Sequence, residues 1–317
     1  MIALLAVVVA FAVGFAMKYG GLCTYAAAVQ IVRERRFERL MAFLAAAAWA
    51  ALVVVPLAWW WPAELSVSAT HDDWAMAVVG GLLLGLGAHF NRGCIFGTFV
   101  QLTGGNLTYV ATLIGMVAGA LAAKYGLVAI APVKTAPALA AQPGVPAMLW
   151  LLVAAIFITS TIWRRGRGSA PRRLRSHPLS SILVALTLGV GGGWLFAAVN
   201  GWDFASVLMR AAWQSLSITN AGPSLLAIAC TLSMVAGGVA AAVSQNRFAW
   251  RAPELLPSLA SFAGGSLMGL AAVLLPGGND GLLLSGVPAL APHAWLGYAL
   301  MLASMLALLM RLPNDKG

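Results

Sequence analysis

His89-Phe90-Asn91-Arg92-Gly93-Cys94-Ile95-Phe96-Gly97-Thr98 is the stretch on which the fold turns. Apolar sequence runs into it from Ala75 to Ala88 and leaves it from Ile95 to Val100. An arginine at the centre of a membrane helix costs roughly 2.5–3.5 kcal/mol on insertion scales, so it needs a partner or a task. A helix is therefore expected to arrive at Asn91, break over residues 91–94, and restart at Ile95.

The rest of the chain supports a membrane setting. Its 317 residues are 61% hydrophobic and only 9% charged, against about 25% charged in ordinary soluble domains. The apolar runs are too long for barrel strands and lack their alternation. The expected class is an all-α polytopic membrane protein. A net charge of +10 invites a nucleic-acid reading, but the basic residues lie in short clusters between apolar runs, and no nucleic-acid partner is expected. These clusters are Arg33 to Arg39, Arg164 to Arg175, Arg247 with Arg251, and Arg311 with Lys316. The positive-inside rule puts all four on the cytoplasmic side. The acidic loop with Glu64, His71, Asp72 and Asp73 then falls outside.

With about 20 residues per span, nine membrane segments follow: 1–32, 40–61, 75–102, 106–125, 146–163, 178–210, 221–245, 255–287 and 292–311. The expected setting is a bacterial-type inner (plasma) membrane, with the N-terminus outside and the C-terminus cytoplasmic. The first segment reads as a retained helix, since no small-residue cleavage site follows it. The whole chain, 1–317, forms one transporter-like domain. Its pseudo-repeats, 1–125 and 178–311, are linked by helix 146–163 and a basic cytoplasmic loop, 164–177. The stretch 126–145 reads as an external loop.

Gly80-Gly81-Leu82-Leu83-Leu84-Gly85-Leu86 aligns without gaps to Gly264-Gly265-Ser266-Leu267-Met268-Gly269-Leu270. The register continues to Gly93 over Gly277 and Gly97 over Gly281. A weaker match lays Gly21-Leu22-Cys23 over Gly201-Trp202-Asp203. Equivalent segments would run in opposite directions, giving two inverted repeats with broken or re-entrant helices. Non-helical backbone survives at membrane depth only where protein buries it or a polar cavity opens beside it, and transporters put their sites at such breaks.

Four breaks carry the candidate site: around Gly20-Gly21, at 91–94, at 200–203 and at 276–281. A helix starting after a break offers unpaired N–H groups and a positive dipole end, which suits an anion. Candidate pathway residues are Cys23, Cys94, Arg92, Asn91, Gly93, Asn279, Asp280 and Gly278, with Lys18, Asp203 and Cys230 held in reserve. Asp203 and Asp280 also sit where helix caps belong. Cys230 lies in an unbroken apolar run and reads first as packing. His89 and His293 read as core or interfacial residues. No catalytic residue, metal or cofactor is called for.

Gly-Gly-Leu-Cys-Thr-Tyr (20–25) and Asn-Arg-Gly-Cys-Ile-Phe-Gly-Thr (91–98) resemble the motifs of the YeeE/YedE family of sulfur-compound transporters. Pro-Gly-Gly-Asn-Asp-Gly (276–281) resembles that family's last broken helix. The resemblance implies an hourglass-like fold of two pseudo-symmetric halves. It implies thiosulfate uptake, with thiols at central constrictions passing the anion along by S–H···S hydrogen bonds. Cys23 and Cys94 match two family cysteines; where a third would follow Gly277-Gly278, this chain has Asn279. A soft-ended dianion would be steered by Arg92 and helix N-termini, meet protonated thiols, and take an amide hydrogen bond from Asn279. The expected partners are a small sulfur-containing anion, the lipid bilayer, and a cytoplasmic sulfur-acceptor protein. Two other classes fit the residues: a sensor or accessory subunit for sulfur species, and a membrane enzyme of thiol or persulfide exchange.

Overall fold

The computed structural model describes residues 2–71, 73–127, 135–166, 178–199, 202, 204–216 and 222–311. Asn200, Gly201, Asp203 and most of the basic 164–177 loop lie outside the described residues, so the third break and the reserve candidate Asp203 have no structural account.

The described chain is mostly helical. In order come α1 (Ile2–Gly20), α2 (Thr24–Glu34), α3 (Glu38–Trp60), α4 (Trp74–Phe90), α5 (Ile95–Leu102), α6 (Val110–Ala122) and α7 (Val145–Gly166). There follow α8 (Pro178–Leu186), α9 (Gly193–Ala198), α10 (Phe204–Ser215), α11 (Leu225–Ser244), α12 (Leu255–Leu274), α13 (Gly278–Gly281) and α14 (Pro292–Arg311). Two-residue strands, Thr70–His71 and Thr135–Ala136, pair antiparallel beside the bundle. Among the described residues, eight helical stretches are long and apolar enough to cross a membrane, and the protein is a multi-span membrane protein. Over the expected segment 178–210, α8, a π-helical turn and α9 run on continuously from Pro178 to Ala198, and the apolar part among the described residues is 182–198. A π-helical turn at Thr187–Gly192 joins α8 to α9, where three consecutive glycines weaken the α pattern.

Polar caps set several helix starts. Asp73 Oδ1 accepts from Met76 N–H at 3.2 Å at the head of α4. Ser224 Oγ accepts from Ala227 N–H at 3.1 Å at the head of α11. Each satisfies a backbone donor that has no partner within its helix.

Small residues hold the bundle together, because lipid-soluble helices gain little from apolar burial and associate by close packing. α6 packs mainly on α12, α1 on α11, and α4 on both α14 and α12. A β-carbon on Gly265 would lie 2.2 Å from Thr112 O, and one on Gly269 would lie 2.0 Å from Met116 O. Likewise a β-carbon on Gly81 would lie 2.7 Å from Gly297 O, and one on Gly85 would lie 2.5 Å from Met301 O. Between α4 and α12, Gly80 meets Leu275 and Gly264 meets Asn91. No methyl group fits at these seams.

Three turns collect at one end of the bundle. The amide of Gln245 donates to Tyr19 O at 3.2 Å. Ala249 N–H donates to Gly104 O at 3.0 Å, and Arg251 N–H donates to Gly105 O at 2.9 Å. The ends of α1, α5 and α11 and the approach to α12 thus form one face, which carries Arg247 and Arg251.

Candidate functional site

The first two breaks are built alike. At the end of α1, Gly21 is left-handed (φ 58°). Its N–H donates to Lys18 O at 3.2 Å and Leu22 N–H donates to Met17 O at 3.1 Å, the paired bonds of a Schellman stop. At the end of α4 the left-handed residue is Arg92 (φ 53°). Arg92 N–H donates to His89 O at 3.1 Å and Gly93 N–H donates to Ala88 O at 3.0 Å. Two residues beyond each left-handed position stands a cysteine in extended conformation. Cys23 caps α2 and Cys94 caps α5.

The breaks bring the thiols together. Cys23 Sγ and Cys94 Sγ are 3.8 Å apart, within sulfur hydrogen-bond distance, and either can donate. Thr24 N–H, the first donor of α2, points at Cys94 Sγ at 3.2 Å. In return, Cys23 Sγ lies over the first turn of α5, where a β-carbon on Gly97 would come within 2.5 Å of it. Both thiols are buried, Cys94 at 1% exposure. Glycine at position 97 makes room for the partner sulfur.

Asn91 makes the second break rigid. Its amide nitrogen donates to Gly93 O at 2.7 Å and to Thr98 Oγ1 at 2.9 Å. Its carbonyl accepts from the Thr112 hydroxyl of α6 at 2.6 Å. The amide is thus committed to holding the break. Lys18 plays a similar part at the far end of α5, where its ammonium donates to Val100 O at 2.7 Å. A cation there also suits the negative end of the helix.

From the other half comes the fourth break. Gly277 and Gly278 both have positive φ, 97° and 53°, and Gly278 reaches α5: a β-carbon on it would lie 3.0 Å from Ile95 Cδ1. Asn279 follows at 1% exposure. Neither its amide nitrogen nor its carbonyl oxygen has a hydrogen-bond partner, a costly state for a buried amide. Asp280 is buried beside it in the first turn of α13. Gly277 takes the cap position there, so Asp280 is not the cap. The restart is also shorter than expected: four α-helical residues pass straight into a π turn, Leu282–Gly286. The half-helix reading therefore fits the two thiol breaks and not this one.

Other expected residues fall elsewhere. Cys230 is fully buried on α11, whose main packing partner is α1. Arg92 is exposed and lines a cleft with Arg251 and Tyr109. His89 packs edge-on to Tyr25, with ring centroids 6.2 Å apart. His293 Nδ1 accepts from His71 N–H at 3.2 Å. Sequence reasoning missed Thr24, Thr112 and Tyr298 as individuals. Tyr298 is buried on α14 beside Thr24, the two hydroxyls lying outside hydrogen-bonding geometry. Thr24 was marked by its place after Cys23, but Thr112 and Tyr298 lie in unbroken apolar helices that carry no local signal.

Among the described residues, no group of three or more His, Cys, Asp or Glu side chains is placed to hold a metal ion. The start of α5 carries the thiol pair, and Gly278, the residue before the unengaged amide of Asn279, reaches that same helix start at Ile95.

A family model described as sulphur transport matches residues 19–307, a span containing both thiol breaks and Asn279. The chain is also 28% identical over 249 residues to the thiosulfate transporter TsuA of Spirochaeta thermophila, covering 69% of this chain and 72% of that protein. With the family model spanning nearly its whole length, the chain belongs to the sulphur-transport family, the YeeE/YedE group that its cysteine motifs resemble.

Proposed function

We propose that the protein is a permease that imports a sulfur-containing anion, thiosulfate foremost, past the Cys23–Cys94 thiol pair. The observation that carries this reading is the 3.8 Å contact of the two thiols, with Gly278 and the unengaged Asn279 closing on the same helix start. A thiol donates weakly and suits a soft terminal sulfur. The amide offers N–H donors to the harder oxygens. Several weak contacts in sequence favour passage over trapping. The relative from Spirochaeta thermophila is named as a thiosulfate transporter, which supports the choice of anion.

The halves act as inverted repeats around this site. In support, residues paired by the sequence alignment meet equivalent neighbours: Gly80 meets Leu275 as Gly264 meets Asn91, and Gly85 meets Met301 as Gly269 meets Met116. The face with Arg247 and Arg251 is cytoplasmic on the positive-inside rule, which sets the N-terminus of α1 outside and the C-terminus inside, in the plasma membrane. Hourglass geometry follows if the passage narrows where the thiols and Asn279 face one another.

Uptake of isotope-labelled thiosulfate into proteoliposomes of the pure protein tests the reading, with sulfate as competitor. Cys94→Ala is expected to insert normally and lose at least 90% of the flux. Wild-type flux through Cys94→Ala would overturn the thiol pathway.

A further inference from the structure

A cleft of about 400 Å³ opens beside the second break, lined by Arg92, Asn106, Tyr109, Arg251, Glu254 and Ser261 among others. We propose that it is a second binding site, distinct from the thiol pair, for a tetrahedral oxyanion such as sulfate, phosphate or the sulfonate end of thiosulfate.

Two arginines share this cleft, and among the described residues neither side chain has a hydrogen-bond or ion-pair partner. Arg92 and Arg251 appear in none of the side-chain hydrogen bonds, and the ion pairs among the described residues all belong to Arg36. Glu254 lies in the same cleft without coming within 4.0 Å of either nitrogen set. Their ten N–H donors engage no acceptor among the described residues, beside a cleft whose remaining lining is largely apolar, and a planar fork of donors is suited to oxyanion oxygens. Tyr109 and Ser261 line the same space. Asn106 spends its carbonyl on Thr108 N–H at 3.2 Å, which leaves its amide hydrogens for a ligand.

The mounting of both arginines is rigid. Arg251 is clamped by its backbone: its N–H donates to Gly105 O at 2.9 Å and its carbonyl accepts from Leu107 N–H at 3.1 Å. Arg92 occupies the left-handed position of a helix stop (φ 53°), where glycine is the usual residue and any side chain carries a conformational cost. The matching stop at the end of α1 does use glycine, Gly21. An observed backbone outlier of this kind points to a task for the side chain it carries. Glu254 tempers the positive field, which keeps such a site weak enough to release its anion.

The site lies on the face read above as cytoplasmic, so its natural occupant is either a free oxyanion or the phosphate of an anionic lipid. Calorimetric titration of the full-length protein in nanodiscs of phosphatidylcholine separates these. Sodium sulfate is expected to bind the wild type saturably, to bind Arg251→Gln and Arg92→Gln at least ten-fold more weakly, and to bind Cys94→Ala within two-fold of wild type. The last variant tells failure of this site from failure of the thiol pathway. If a lipid phosphate is the occupant, phosphatidylglycerol discs weaken sulfate binding at least ten-fold, and native mass spectrometry finds a retained phosphatidylglycerol that Arg251→Gln loses. Circular dichroism melts confirm that each variant is folded. Wild-type affinity in folded Arg251→Gln, or the absence of both sulfate binding and lipid retention in the wild type, would overturn the proposal.

Discussion

Cys23 Sγ and Cys94 Sγ lie 3.8 Å apart, and each sulfur rests on the first turn of the helix that the other cysteine begins. The two breaks are therefore clasped through their thiols. A disulfide has its sulfurs about 2.05 Å apart, so closure needs a shift of under 2 Å from the observed contact. Diamide, a membrane-permeant two-electron oxidant, is expected to take up the two thiol hydrogens and join Cys23 to Cys94. Maleimide labelling after denaturation should then drop from three cysteines to one, Cys230. Transport should fall with it and return on adding dithiothreitol. Three labelled thiols after saturating oxidant would contradict the geometry.

Gly97 separates packing from chemistry. An alanine methyl there would sit 2.5 Å from Cys23 Sγ and push the thiols apart. Overpacking of this kind costs about 1–3 kcal/mol. Gly97→Ala should lower the melting temperature slightly and reduce thiosulfate uptake at least ten-fold. Gly144→Ala, whose new methyl meets nothing closer than 3.8 Å, should transport as the wild type does.

Asn279 is expected to show opposite effects on stability and function. Its buried amide has no partner, and removing such a group relieves about 1–3 kcal/mol of desolvation cost. Asn279→Leu, which keeps the branched shape of the side chain and replaces its amide with methyl groups, should raise the melting temperature of the pure protein while lowering uptake at least ten-fold. A variant both less stable and fully active would refute a ligand role for the amide.

Asn91 should behave in the contrary way. Its three side-chain hydrogen bonds tie Gly93, Thr98 and Thr112 together, at about 0.5–1.5 kcal/mol each. Asn91→Ala should cost about 2–4 kcal/mol of stability, seen as a large drop in detergent melting temperature. Its loss of uptake should follow the loss of folded protein.

Arg92→Gly offers a gain. Glycine at the left-handed stop of α4 removes backbone strain and should stabilise the fold by about 1 kcal/mol. Thermal melting reads the gain directly; an unchanged or lowered melting temperature would count against the strain.

Much of the fold was legible because membrane helices must be long and apolar, and the charge-poor runs have that length. The breaks were legible because Asn-Arg-Gly-Cys and Pro-Gly-Gly-Asn cannot continue such a helix cheaply. The π turn at Thr187–Gly192 was not, since Gly189, Gly191 and Gly192 are as hydropathically bland as alanine and leave the apolar pattern unbroken. Within the site, the thiols could be nominated, but their crossed seating spans 71 residues of chain and depends on tertiary packing. Asn91 was nominated for a ligand and serves as a staple, because its carbonyl's partner, Thr112, stands 21 residues away in a helix without any distinguishing signal. Arg92 was placed with the thiols by sequence proximity, but the left-handed turn carries it into the cleft.

The glycine seams of α4, α6, α12 and α14 leave less than a methyl group between facing backbones. Helices in such contact interlock like cogged rails: rolling or sliding one along another would drive carbonyl oxygens into α-carbons. That chassis opposes the rocking of whole halves by which many carriers expose a site alternately to each side. Movement that admits an anion must then be confined to the short pieces it supports, α2, α5 and α13. On the proposed permease reading, the protein would work as a fixed frame with a yielding gasket, its throughput set by how far two thiols and one amide can part.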